Sequence, residues 1–83
     1  MFRIERSEHF KNAIAAILDG HSELGESLEG IEWVLERDPE QGLHLANGWR
    51  CLSGRSRKRA HITIFYSVDG KVVTLESAVR IME

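Results

Sequence analysis

The chain has 83 residues, 42% of them hydrophobic and 29% charged, with a formal net charge of -2. A chain of that length supports one hydrophobic core, so residues 1–83 are read as a single domain, and the composition excludes a disordered or fibrous class. Cys51 is the only cysteine, which excludes a disulfide framework and a cysteine-based zinc site, and no apolar run approaches the ~20 residues that span a membrane.

The first residues, "MFRIERSEHF", are charged from Arg3 onward and carry no signal-peptide apolar region, so a cytoplasmic location is expected. Phe2 to Arg6 alternates apolar and charged residues, the pattern of a short strand. Ser7 is placed to cap a helix, with Glu8 against its positive end. Phe10, Ile14, Ile17 and Leu18 recur at helical spacing, which predicts a first helix over roughly 8–19, closed by Asp19-Gly20. Leu24, Leu28, Ile31 and Leu35 form a second apolar stripe, stopped at Asp38-Pro39. Two helices joined by a short polar turn read as an antiparallel hairpin. Each is too short to stand without a surface to pack on.

The period then changes. "GWRCLSG" reads as a short strand centred on Arg50. "HITIFYSV" and "KVVTLESAVRI" are rich in β-branched and aromatic residues, and between them Asp69-Gly70 is a strong hairpin signal. The hairpin is expected over Ile62–Val68 and Lys71–Val79. Alternation puts Ile62, Ile64, Tyr66, Val68, Val73, Leu75 and Val79 on a face packed by helices. It leaves His61, Thr63, Phe65, Ser67, Thr74, Glu76 and Arg80 on the other. The fold expected is α+β: a short N-terminal strand and a helical hairpin on one face of a three- to four-stranded antiparallel sheet.

Charge is divided along the chain. Residues 1–42 hold four basic and ten acidic side chains, and residues 43–83 hold seven basic and three acidic. Arg55, Arg57, Lys58 and Arg59 fall within five residues, a density that serves either a solvated loop or contact with a polyanion. His9, His21 and His44 show no paired spacing, so neither a metal nor a cofactor is expected. Trp33 and Trp49 read as core or interface anchors rather than stacking platforms, and Cys51 as a buried thiol.

The order of these features resembles the RelE/ParE superfamily of toxins from bacterial toxin–antitoxin pairs. The residues that carry the likeness are "GIEWVLERDPEQG", with Trp33, Leu35 and Pro39, then Gly48 and Arg50, the basic segment, and "FYSVDGKVV" from Phe65 to Val73. The resemblance implies either an endoribonuclease cutting ribosome-bound mRNA without a metal, or a non-catalytic inhibitor of DNA gyrase, and a small cognate antitoxin in both cases. By position it implies catalytic roles for Arg50, His61 and Arg80, with Arg55, Arg57, Lys58 and Arg59 holding RNA phosphates. Three departures thin that set. Only Ile81, Met82 and Glu83 follow Arg80, where the family's nucleases carry a Tyr or another acid–base residue, Thr63 stands where an Arg is expected, and Tyr66 alternates onto the core side. A degenerate, inactive member is the third reading.

Overall fold

Ser7 sets the first junction between strand and helix. In the computed structural model, which describes residues 1–55 and 60–82, β1 (Arg3–Arg6) leads through Ser7 into α1 (Glu8–Gly20). The Ser7 hydroxyl accepts the Phe10 N–H at 3.1 Å, an N-cap worth about 1 kcal/mol. α2 (Leu24–Arg37) ends at Asp38, whose carboxylate accepts the Glu40 N–H at 3.3 Å and so caps a 3-10 turn at Pro39–Gln41. The remaining elements are β2 (Leu43–His44), β3 (Arg50–Arg55), β4 (Ala60–Asp69) and β5 (Val72–Met82).

The α+β arrangement is present, and it is consistent with a RelE-like one. The sheet is larger than expected and mixed: five strands in the order β1-β5-β4-β3-β2, with β1 parallel to β5 and every other pair antiparallel. β2 has two residues, too few to show a period in sequence. Its hairpin to β3 closes through the Leu45 N–H on the Trp49 carbonyl at 2.7 Å, with Gly48 at φ 88. β1 meets β5 only after the rest of the chain has crossed over, a pairing that local pattern does not encode.

Both helices lie on one face of the sheet, α1 over β5 and α2 over β3 and β4. Phe10 and Ile14 from α1 and Leu24, Leu28, Ile31 and Leu35 from α2 are buried against Ile62, Ile64, Tyr66, Val73 and Leu75. Tyr66 is fully buried and held at its polar tip, where the hydroxyl donates to the Pro39 carbonyl at 2.6 Å and accepts the Gly42 N–H at 3.1 Å. Trp33 departs from the core reading: it is 58% exposed, with the Arg37 guanidinium stacked 3.8 Å from its ring centroid.

Two details of the β4–β5 hairpin differ from the sequence pattern. Asp69 pairs with Val72, so the turn is Gly70-Lys71 rather than Asp69-Gly70, and Gly70 at φ 59 supplies the left-handed residue such a turn requires. Further along, Tyr66 pairs with Leu75 while Phe65 pairs with Ser77, leaving Glu76 as an extra residue. A bulge of this kind inverts the alternation beyond it. Val79 therefore pairs with Thr63 on the uncovered face and Arg80 with Ile62 on the helix side, the reverse of the sequence expectation.

Candidate functional site on the open face of the sheet

Because cross-strand partners share a face, the pairing registers define rungs across the side that the helices leave uncovered. Arg55, His61 and Ile81 make one rung, Ser53, Thr63 and Val79 the next, and Cys51, Phe65 and Ser77 the third, with Leu43 extending it on β2. Thr63 is nearly buried at 8% exposure, since strands flank it on both sides, and its hydroxyl lies 2.8 Å from that of Ser53. Ser67 donates to the Glu76 carboxylate at 2.7 Å.

The residues expected to act together are separated. His61 is on the open face, partly exposed and directly opposite Arg55. Arg50 pairs with Tyr66, which places it on the helix side at the far end of the sheet, where its Nη1 donates to the Gly42 carbonyl at 3.4 Å. Arg80, exposed and paired with Ile62, is also on the helix side. The partners of Arg50 and Arg80 lie four positions apart on β4, about 13 Å along the strand, so these two do not converge either. One three-residue catalytic cluster of Arg50, His61 and Arg80 is therefore absent. Arg57, Lys58 and Arg59 lie outside the described residues.

What the open face offers is one imidazole, one guanidinium in register with it, and a linked pair of hydroxyls, set among apolar side chains. Leu43 is 70%, Val79 41% and Ile81 52% exposed, and Phe65 and Cys51 are partly exposed. An imidazole can give or take a proton, and a guanidinium can bind two phosphate oxygens at once. Ser53 and Cys51 were open to discovery from the alternation of β3. Val79 and Ile81 were not, because the bulge that exposes them leaves no mark in the residue pattern. Among the described residues, no three His, Cys, Asp or Glu side chains converge as a metal site would require, and no helix is long and apolar enough to cross a membrane.

Among the described residues, the fold and this face define an α+β protein with one side covered by helices and one half-polar side that they leave open. No protein-family model and no curated protein sequence matches the chain.

Proposed function

We propose that the protein is a RelE/ParE-type toxin component that holds RNA on the open face of its sheet and cuts ribosome-bound mRNA there without a metal. The observation that supports this most is the Arg55–His61 pair, opposed across β3 and β4 on the uncovered face. Arg55 would neutralise phosphate charge and His61 would exchange the proton, two of the tasks that cleavage through a 2′-hydroxyl requires. The neighbouring Arg57, Lys58 and Arg59 would add phosphate contacts. Arg50 and Arg80 have no part in this version of the site. The cytoplasm follows from the ribosome as the place of action, and a small antitoxin is the proposed regulator.

A second reading is supported by the exposed apolar rungs. Leu43, Val79 and Ile81 beside Phe65 suit a protein surface better than a phosphate chain. A groove of about 350 Å³ between α2 and β3, lined by Ile31, Val34 and Leu52 and ending at Arg55, adds a place for a partner's side chain. On that reading the protein binds without cutting, as a gyrase inhibitor or an inactive member does.

Induction in a bacterial host with mapping of mRNA ends separates the two, using Arg55→Ala/His61→Ala as the control. Growth arrest with new mRNA ends that the control lacks supports the nuclease. Arrest with intact mRNA and damaged DNA supports gyrase inhibition, and absence of arrest supports the inactive member.

A further inference from the structure

A second depression also lies on the helix side of the sheet, and its charges are arranged differently. It occupies about 300 Å³ at the turn end of the hairpin, lined by the apolar Phe2, Pro39 and Val68 and by the charged Arg37, Asp38, Glu40 and Arg50. Most of the polar groups around it are committed. The Arg37 guanidinium is stacked on Trp33 and donates to the Trp33 carbonyl at 2.8 Å. The Asp38 carboxylate accepts the Glu40 N–H and, at 3.1 Å, the Gln41 side-chain amide. Of the two guanidiniums lining it, Arg50 is the less committed. Its side chain is half-buried, yet among the described residues the guanidinium's one hydrogen bond is the long contact to Gly42, and no carboxylate lies within ion-pair distance. A guanidinium carries five N–H donors in a planar fork, so a half-buried one with a single long protein acceptor keeps donors open to solvent or to an incoming anion.

We propose that this depression is a binding site for a small monocarboxylate with an apolar body, the carboxylate on Arg50 and the body on Phe2, Pro39 and Val68. The Lys71 ammonium, 4.8 Å from the Phe2 ring centroid, adds positive charge beside those apolar residues. The carboxylates of Asp38 and Glu40, which also line the depression, repel any anion in proportion to its charge, so a monoanion is penalised less than a dianionic phosphate. The site is independent of the RNA reading, since it sits on the helix side and uses none of the open-face residues.

The test is titration of the full-length protein with benzoate, benzamide and inorganic phosphate, followed residue by residue through backbone amide chemical shifts. Benzoate is expected to bind at around millimolar affinity, shifting Gly42, Arg50, Val68 and Gly70 together, with benzamide and phosphate weaker by about tenfold or more. Arg50→Gln should abolish the benzoate shifts while keeping the spectrum dispersed. Exposed Glu40→Gln, which leaves the core untouched, should tighten benzoate about threefold by removing a like charge. Equal binding of benzoate and benzamide, shifts confined to other residues, or tighter phosphate than benzoate would each overturn the proposal. The ligand comparison and Glu40→Gln decide the matter even if Arg50→Gln does not fold.

Discussion

The hydroxyl of Ser7 donates to the carbonyl of Glu76 at 3.2 Å, joining the cap of α1 to the extra residue of the β4–β5 ladder. The Ser7 N–H also reaches the neighbouring Leu75 carbonyl at 3.0 Å, so the bulge is fastened from both sides of one residue. Replacing Ser7 by Ala removes an N-cap acceptor and a bulge donor at once. A loss of about 1–2 kcal/mol is expected in urea unfolding, with Ser7→Thr recovering most of it. A change within 0.3 kcal/mol would mean that the bulge does not depend on this contact.

Gly42 allows no side chain. A Cβ built there would collide with the Tyr66 hydroxyl and come within 2.7 Å of the Cys51 carbonyl, although the backbone at Gly42 (φ -75) suits any residue. The objection to alanine is therefore space alone. Gly42→Ala is expected to cost about 1–3 kcal/mol, and Gly42→Ala combined with Tyr66→Phe should cost less than the sum of the two. Additive costs in that double-mutant cycle would show that the methyl group and the hydroxyl do not meet.

Tyr66 supplies an alkaline signature. Burial pushes its phenol pKa up, opposed by the Gly42 N–H on the phenol oxygen and by the nearby Arg50 guanidinium. Since the folded pKa lies above the unfolded one, the contribution is complete below about pH 10 and declines as pH rises from there through the folded value. At neutral pH, Tyr66→Phe strands the Pro39 carbonyl and the Gly42 N–H and should cost about 1–3 kcal/mol. Above about pH 10 the gap between wild type and Tyr66→Phe should narrow, by at most ~1.4 kcal/mol per pH unit. A gap that widens with pH would reverse the sign assigned to the phenol.

The elements that sequence made legible are those whose signals are local. Ser7, the two apolar stripes and the Asp38-Pro39 stop are each decided within a turn or two of helix, and the structure agrees with them. The β4–β5 hairpin was legible because Gly70 and the β-branched runs on either side of it speak to their immediate neighbours. The parallel pairing of β1, the two-residue β2 and the bulge at Glu76 are decided by distant partners. The bulge matters most for the site, since one added residue moved Arg80 off the open face and Val79 onto it. The face of Arg50 is not encoded locally for a similar reason: it depends on which residue of β4 it opposes, and that residue is Tyr66.

If the open face holds RNA, binding is governed by counterion release. Four phosphate contacts from Arg55, Arg57, Lys58 and Arg59 give a log–log salt slope near -3 on a single strand, or about a fiftyfold loss of affinity from 50 to 200 mM salt. Arg55→Ala should make the slope shallower by about 0.7. Affinity that is flat in salt would remove the polyanion from the proposed function.

The bulge also yields a contrast that the uninterrupted alternation would reverse. Arg80, exposed on the helix side opposite Ile62, has no route to an RNA strand lying on the open face. Arg80→Ala is therefore expected to leave affinity and stability nearly unchanged, within about 0.5 kcal/mol. Val79 opposes Thr63 on the open face and is a diagonal neighbour of His61, at a separation of roughly 7–8 Å. A carboxylate there enters the same screening volume as the Arg55–His61 rung, so Val79→Glu should weaken RNA binding about tenfold at low salt and much less at high salt. Because Val79 is already 41% exposed, the substitution should cost little stability. Loss of binding in Arg80→Ala with none in Val79→Glu would place the RNA on the helix side and overturn the assignment of the site.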